Sequence, residues 1–363
     1  MNTFGRTIGL TIFGESHGLS IGAVLDGLPS GEAIDWDAVR AEMARRAPGK
    51  NKMSTARSEK DVFEVQSGFF NGHTTGTPLC AIIRNSDQHS RDYDQLRHIM
   101  RPGHADYSGK IRYGGFNDYR GGGHFSGRLT APLVFAGAVA SQILARHGIT
   151  IGSHILRLAG IADKPFDAAG ETAETLQALK KETLPVLDKA QAGPMEEKIL
   201  EAKNDLDSVG GVIECMVTGL PAGIGDPFFD SVESQLSHMM FSVPAVKGIE
   251  FGDGFALADL RGSQANDAFY YDGDAVKTRT NHNGGINGGI TNGMPVVFRL
   301  AVKPTASISQ KQETIDTDTK ENCDLVIKGR HDPCIVQRAI PVVEAAAAWA
   351  ILDVCLSEKG RCW

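Results

Sequence analysis

The chain has 363 residues, of which 41% are hydrophobic and 22% are charged. This balance predicts a globular protein with a large buried core, and it excludes a long disordered chain. The formal net charge is -7, which disfavours a nucleic-acid partner. Residues 1–128 nevertheless carry 16 Lys and Arg against 14 Asp and Glu, so the first third of the chain suits a small anionic ligand.

The six cysteines lie far apart without a CxxC pair, which argues against a zinc site and against a disulfide framework. They predict reduced thiols and a cytoplasmic protein. The N-terminus lacks the basic and apolar regions of a secretory signal. The longest apolar stretch, residues 129–144, is too short to cross a bilayer and contains polar residues. We therefore expect a buried helix there and no membrane partner.

Four segments carry helix signals. Residues 35–46 begin with an aspartate that can cap the helix, and residues 129–147 form an apolar run that stops before a glycine. A third helix is predicted to begin at Asp230. The fourth is predicted over residues 342–356, with Pro341 in the first turn, where a proline is tolerated. Helices that are apolar on more than one side predict a layered structure.

Short runs that are rich in β-branched residues predict strands. These runs are residues 7–13, 21–25, 62–65, 79–83, 212–217 and 296–302. They do not alternate regularly with helices, so we predict an α+β fold with antiparallel sheets packed on central long helices, rather than a doubly wound parallel sheet. The polar residues 164–207 predict a helical excursion at the surface. We expect one domain over residues 1–363, and the two long buried helices permit an internal structural duplication.

Glycine runs at residues 121–123 and 283–293 are the first functional signal. Backbone without side chains can approach an anion and direct N–H groups at it, although tight turns are an equally good explanation. Neither run has the GxGxxG spacing, and the chain has no Walker A lysine motif, which disfavours the common nucleotide-binding folds.

His17 directly follows an apolar strand and is flanked by Gly14 and Gly18, which leave its imidazole room to face a cleft. A histidine can give or take a proton near neutral pH. The alternative is a structural, hydrogen-bonded histidine. A nucleophilic role for Ser16 is disfavoured because the order is not GxSxG.

His104 lies in the run Arg-Pro-Gly-His-Ala-Asp at residues 101–106. An arginine beside a histidine suits a phosphate leaving group, since the guanidinium grips two oxygens and the imidazolium donates a proton to the bridging one. The basic residues that follow the first helix could hold a phosphate and a carboxylate, or could be a solvated helix end. They are Arg45, Arg46, Lys50, Lys52 and Arg57.

Two later segments combine cations with hydroxyl or carboxyl groups. Residues 303–307 follow a strand and contain a lysine, a threonine and a serine. Arg330, His331 and Asp332 are consecutive and could neutralise an anion and supply a carboxylate base. No third ligand is spaced with His331 and Asp332, so we expect no metal.

Together these motifs resemble the chorismate synthase family, in the family's order and over almost the whole chain. The resembling runs are residues 13–18, 74–78, 101–106, 245–248, 251–252, 284–293, 303–307 and 329–334. The resemblance implies a lyase that converts 5-enolpyruvylshikimate 3-phosphate to chorismate and phosphate by 1,4-elimination. It implies reduced FMN as a cofactor that is not consumed, and a place in aromatic amino-acid biosynthesis.

The resemblance also implies roles for individual residues. His104 would protonate the departing phosphate, His17 would protonate the reduced flavin, and Asp332 would help the flavin accept the substrate proton. The implied FMN site comprises His124, Phe125, Ser126, Ala245, Gly288, Lys303, Pro304, Thr305, Ala306, Ser307 and Arg330. The implied substrate or NADP site comprises Arg46, Lys52, Arg101 and Arg128.

This sequence departs from the family pattern at two places. Many members have arginine where this chain has Lys52, and a lysine lacks the planar two-point grip of a guanidinium. Many members have Arg-Ser-Ser-Ala-Arg where this chain has His-Phe-Ser-Gly-Arg at residues 124–128, so Phe125 removes a hydroxyl.

The resemblance further implies a homotetramer and a β-α-β sandwich. Two sources of reducing equivalents are open, namely NADPH used by the enzyme itself and an external flavin reductase. Two competing functions are a flavin- or anion-binding module without turnover and an FMN oxidoreductase with net hydride transfer.

Overall fold

The computed structural model describes residues 1–49, 52–54, 60–85, 95–327 and 331–357. The helices are α1 (Trp36–Arg46), α2 (Asp106–Arg112), α3 (Thr130–Arg146), α4 (Ala173–Leu179), α5 (Ala192–Asn204), α6 (Val232–Met240), α7 (Gly262–Ala265) and α8 (Val336–Ser357). The strands of the N-terminal half are β1 (Thr3–Phe4), β2 (Gly9–Gly14), β3 (Ser20–Asp26), β4 (Phe63–Ser67), β5 (Phe69–Phe70), β6 (His73–Thr74), β7 (Leu79–Arg84), β8 (Thr150–Leu158) and β9 (Ile161–Ala162). Those that follow are β10 (Gly211–Thr218), β11 (Val246–Phe251), β12 (Phe269–Asp272), β13 (Ala275–Thr278), β14 (Ile286–Asn287), β15 (Ile290–Thr291), β16 (Val296–Val302), β17 (Gln312–Asp316) and β18 (Glu321–Leu325).

Two five-stranded sheets dominate the fold. The first has the strand order β1-β2-β3-β7-β4, and the second has the order β11-β16-β10-β8-β9. Every neighbouring pair in both sheets is antiparallel. The predicted α+β class with antiparallel sheets is therefore confirmed, and each of the six predicted strands lies within two residues of an observed one.

The helices α3 and α8 lie between the sheets and pack against each other. Helix α3 also contacts β2, β3 and β7 of the first sheet, whereas α8 contacts β8 and β10 of the second. The two helices approach closely because Gly137 of α3 faces Ala345 of α8, and a Cβ at position 137 would lie 2.2 Å from the Ala345 Cα. Small residues at this crossing therefore set the spacing of the central layer.

By length and composition alone, the helical residues 127–146 and α8 could each cross a membrane, although the apolar stretch of residues 129–144 within the first is shorter. They are core helices here, because 83% of the apolar window in residues 127–146 and all of that in α8 are buried inside the protein. Apolar residues from both sheets and from α1, α3, α6 and α8 belong to one continuous core cluster. The internal duplication stays a prediction.

Helix α1 has the predicted bounds, and the Asp35 carboxylate accepts hydrogen bonds from the Asp37 and Ala38 N–H groups at its start. Two other predicted helix starts are wrong. Asp230 ends a short 3-10 turn, and α6 begins at Val232 because Ser231 accepts a hydrogen bond from the Ser234 N–H and caps it.

The second wrong start concerns Pro341, which lies inside α8 and not in its first turn, because the helix already begins at Val336. A proline removes one helical N–H and usually ends a helix. Here the residues on both sides of it are buried in the core, so packing keeps the helix continuous. Within residues 164–207, α4 and α5 confirm the predicted helical excursion.

Candidate active site

A cavity of about 870 Å³ is lined by the turn between β2 and β3, the segment before α3, α6 and the start of α8. His17, His104 and Asp332 all line it, although they lie in distant parts of the sequence. Other predicted site residues that line it are Arg46, Arg101, His124, Phe125, Ser126, Arg128, Ala245, Lys303, Pro304, Thr305, Ala306 and Ser307. The structure therefore brings most of the predicted site into one space.

His104 is held by a carboxylate that the sequence reasoning left without a role. Its Nδ1 lies 2.6 Å from the Asp106 Oδ1, and the Arg101 guanidinium pairs with the same carboxylate through Nε and Nη2 at 2.7 Å each. A carboxylate only accepts hydrogen bonds, so Nδ1 carries the imidazole proton. The other nitrogen, Nε2, has no hydrogen-bond partner among the described residues. It gains a proton only when the ring is charged.

Burial opposes the ionisation of Asp106, but hydrogen bonds from Arg101 and His104 outweigh it and hold the pKa of this carboxyl well below its usual range. Asp106 is therefore ionised near neutral pH. The signal for it was present in the sequence, because it lies two residues after His104 in the same motif.

His17 lies in the turn between β2 and β3 and is buried. Its Nδ1 is 3.2 Å from the Ser16 Oγ, which in turn donates to the Arg120 carbonyl. A Cβ at Gly121 would lie 2.1 Å from the His17 Cε1, and a Cβ at Gly122 would lie 3.2 Å from the His104 Nε2. The first glycine run therefore lets the backbone fit against both imidazoles.

Two arginines at the cavity wall share one buried carboxylate. Arg46 donates to the Asp61 Oδ2 from Nε and Nη2 at 2.9 and 2.7 Å, and Arg128 donates to the Asp61 Oδ1. Two guanidiniums against one carboxylate leave a net positive charge beside the cavity, which favours an anionic ligand. The Asp61 contacts were not predicted, because the partners lie 15 and 67 residues away from it.

Asp332 accepts a hydrogen bond from the Arg338 Nη1 at 2.5 Å, and the Arg338 Nε donates to the Arg46 carbonyl. The Asp332 carboxylate is thus held by a residue in the first turn of α8, and that residue also contacts the last residue of α1. Arg338 also lines the cavity and was not predicted.

Residues 303–307 form another wall. The Lys303 ammonium donates to the Gly103 carbonyl, and the Arg101 Nη1 donates to the Ser307 Oγ at 3.2 Å. The Lys303 N–H donates to the carbonyl of Ala245, which adopts a left-handed φ of 73°. The Thr305 Oγ1 is buried without a hydrogen-bond partner among the described residues, so it has hydrogen-bonding capacity left for a ligand.

The residues that depart from the family pattern have structural contacts here. The His124 Nδ1 lies 2.8 Å from the Gly14 carbonyl at the end of β2, which ties the segment before α3 to the first sheet. The Phe125 ring packs on Gly109 of α2, where a Cβ would lie 2.6 Å from the ring. An apolar contact thus replaces the hydroxyl.

Two of the predicted residues that the structure describes are not brought to the cavity. Lys52 is exposed and pairs with Glu196 at 2.8 Å, and Gly288 turns the hairpin of β14 and β15. Arg330 lies outside the described residues. In the basic stretch, Lys50 and Arg57 also lie outside them, and Arg45 pairs with Glu42 and Glu344. Of that stretch, the described part places Arg46 alone at the cavity.

Comparisons with known proteins agree over the whole chain. A family model described as Chorismate synthase matches residues 8–356. A chorismate synthase of Chitinophaga pinensis is 46% identical over 99% of this chain and 98% of its own. One of Dehalococcoides mccartyi is 44% identical over 98% and 96%, and one of Methanosarcina mazei is 44% identical over 97% and 95%. A crystal structure of chorismate synthase superposes with a TM-score of 0.76 at 28% identity, over 98% of this chain and 94% of that one.

Proposed function

The chain belongs to the chorismate synthase family and is a lyase of the shikimate pathway, and from this premise we propose a mechanism for it. We propose that it converts 5-enolpyruvylshikimate 3-phosphate to chorismate and phosphate by 1,4-elimination with reduced FMN. The observation that carries this proposal is the contact of Arg101, His104 and Asp106 at the wall of the cavity that also contains His17 and Asp332.

The first part of the proposal concerns the leaving group. A departing phosphate needs a proton on its bridging oxygen and cations on the others. His104 can supply that proton from Nε2 when its ring is charged, and the ionised Asp106 on Nδ1 stabilises the charged ring. Arg46 and Arg128 supply cations to the same cavity.

The second part concerns the cofactor. The cavity volume of about 870 Å³, the cations in its wall and the buried hydroxyl of Thr305 fit a phosphorylated flavin. Segments 124–126 and 303–307 with Ala245 would hold it, and Lys303 would neutralise negative charge. Reduced FMN supplies electron density to the reacting ring of the substrate when it is bound.

The third part concerns the remaining proton. Loss of a ring hydrogen also requires a proton acceptor. Asp332 provides a carboxylate at the cavity, kept in place by Arg338. His17 provides a second imidazole that can hold a proton there. Acid and base functions would thus belong to different residues that line one cavity.

Purified protein, reduced FMN and 5-enolpyruvylshikimate 3-phosphate, mixed without oxygen, test the proposal. The expected result is many phosphates released per flavin, with one chorismate per phosphate and no net consumption of reductant. FMN binding without phosphate release would indicate a binding module. Consumption of one reductant per product would indicate an oxidoreductase. Either result contradicts the proposal.

We also propose a cytoplasmic homotetramer that acts on a small molecule. Exposed aromatic side chains support self-association, since Phe228, Phe229 and Phe255 are 86%, 91% and 85% exposed in the single chain. The described cysteines are free thiols, which suits a reducing compartment. Light scattering of the purified protein tests the assembly, and a mass of one chain contradicts it.

NADPH oxidation by the protein with FMN alone distinguishes its own reductase activity from dependence on an external one.

A further inference from the structure

We propose that Asp61 and Asn85 are positioning residues of this active site. Asp61 aligns the two arginines at the cavity wall, and Asn85 connects one of them to the turn that carries His17. The inference rests on the proposed function, because it assigns these residues to the same catalytic cavity. Neither side chain lines that cavity itself, so each acts through another residue.

The geometry of Asp61 supports an aligning role. Its side chain is fully enclosed, and both of its oxygens accept hydrogen bonds from guanidiniums, Oδ2 from Arg46 and Oδ1 from Arg128. Both arginines line the cavity. Asp61 also has a φ of 48°, which is costly for a residue with a side chain and persists only where the surroundings determine it. The carboxylate thus fixes where two cations meet the ligand.

The geometry of Asn85 supports a clamping role. Its Nδ2 donates to the Glu15 carbonyl at 3.0 Å and to the Gly18 carbonyl at 2.9 Å, which bracket His17. Its Oδ1 accepts from the Arg128 Nε at 3.2 Å. The amide therefore uses both of its ends, one on the turn and one on the arginine. A single chain of contacts runs from Asp61 through Arg128 and Asn85 to the turn.

Because Asp61 and Asn85 lie at the two ends of this series of contacts, their loss should impair different kinetic properties of the enzyme. Loss of Asp61 leaves two guanidiniums without their shared carboxylate, so the anionic substrate should bind less well. Loss of Asn85 leaves the arginine pair intact but frees the turn, so proton handling by His17 should suffer. Misplacement of a catalytic group by about 1 Å can cost up to roughly 100-fold in rate.

The experiment compares three variants of the full-length protein with the wild type. Asp61→Asn is expected to raise KM for the substrate roughly 10-fold, and Asn85→Ala is expected to lower kcat roughly 10-fold with KM nearly unchanged. Asn85→Asp keeps the acceptor for Arg128 but cannot donate to the two carbonyls, so it should resemble Asn85→Ala. Full activity of Asn85→Asp contradicts the clamping role.

Two matched controls separate positioning from general stability. Asp163→Asn removes another fully enclosed carboxylate, and Gln142→Ala removes another amide that bonds backbone groups, those of Asp35. Both lie away from the cavity. They should change thermal unfolding without changing kcat or KM per folded molecule. If Asp61→Asn and Asn85→Ala behave like these controls, the inference is wrong.

Hydrogen exchange gives a readout that does not depend on turnover. Asn85→Ala should raise the exchange of residues 15–18 by roughly 10-fold or more, because the turn loses two side-chain contacts. Unchanged exchange overturns the inference whatever the activity. If the wild type releases no phosphate, the proposed function fails separately, and the exchange result still decides whether Asn85 holds the turn.

Discussion

Two of the histidines that contact carboxylates, His104 and His154, differ in whether a ring nitrogen remains available to a ligand. His104 uses Nδ1 for Asp106 and directs the rest of its ring at the cavity. His154 is fully buried, with Nδ1 3.1 Å from Asp163 and Nε2 3.0 Å from Glu214. A carboxylate contact therefore does not mark a catalytic histidine. In His104 the Nε2 at the cavity remains available to a ligand, whereas in His154 both ring nitrogens contact carboxylates.

The His154 cluster is built for stability. Burial lowers the pKa of His154, but its hydrogen bonds to Asp163 and Glu214 outweigh this and raise it above the usual value. Glu214 also accepts from the Arg299 Nε at 2.9 Å. His154 thus lies between two carboxylates, and Arg299 pairs with one of them. These contacts connect β8, β10 and β16 to the segment before α4.

The largest expected effect is on the stability of the structural cluster. His154→Gln removes a buried cation from between two carboxylates and should lower the free energy of unfolding by about 3 to 5 kcal/mol. Chemical denaturation measures this, and kcat per folded molecule should stay at the wild-type value. A large fall in kcat with unchanged stability contradicts the division between the two histidines.

The next effect is on turnover. His104→Ala should lower kcat roughly 100-fold, equivalent to about 2.7 kcal/mol, if the imidazole is the general acid. The unfolding free energy should change little, since His104 faces the cavity. His73→Ala, a substitution at an exposed position of strand β6, is the control for removing an imidazole elsewhere. An unchanged rate in His104→Ala removes it from the mechanism.

A smaller loss is expected for Asp106→Asn. The neutral amide weakens the hold on the His104 ring and the pairing with Arg101, so kcat/KM should fall roughly 10-fold. Steady-state kinetics at several pH values measure it. If the loss matches that of His104→Ala, the carboxylate does more than position the ring. If there is no loss, the contact is structural only.

The smallest expected effect is a difference in pH dependence. The raised pKa of His154 contributes stability that is present below the unfolded value of about 6.5 and is lost as the pH rises through the folded value. The pKa values of Asp163 and Glu214 are lowered, because hydrogen bonds outweigh burial, so their contribution is lost in acid. The melting temperature of the wild type should therefore fall more towards alkaline pH than the melting temperature of His154→Gln. If the melting temperatures of the two proteins change with pH in parallel, His154 does not contribute this pH-dependent stability.

Local signals in the sequence predicted much of the fold. The Asp35 cap and the glycine after residue 147 gave correct helices because capping depends on neighbouring residues. The start of α8 could not be predicted, since burial on all sides overrides the proline at position 341. Strands β8 and β11 were not predicted, because their residues do not alternate regularly between apolar and polar.

In the candidate site, too, some residues were predicted from local motifs and others were not. The motifs around His17, His104 and Asp332 predicted their meeting, and the structure places all three at one cavity. Asp61 and Asn85 were not predicted, because no motif contains them and their partners lie far away in the chain. Gly121 and Gly122 were predicted as an anion cradle or a turn; they lie in a 3-10 turn with positive φ, and they also give space to two imidazoles. The roles of these residues depend on contacts between distant parts of the sequence, and the spacing of residues in the sequence does not reveal such contacts.

A crystal structure of the protein with oxidised FMN and substrate would show whether His17, His104 and Asp332 surround one bound flavin. We expect the flavin ring and the substrate in the cavity lined by His17, His104 and Asp332, with the substrate phosphate within hydrogen-bond distance of the His104 Nε2. Ligands bound elsewhere, with these three side chains untouched, would contradict this expectation.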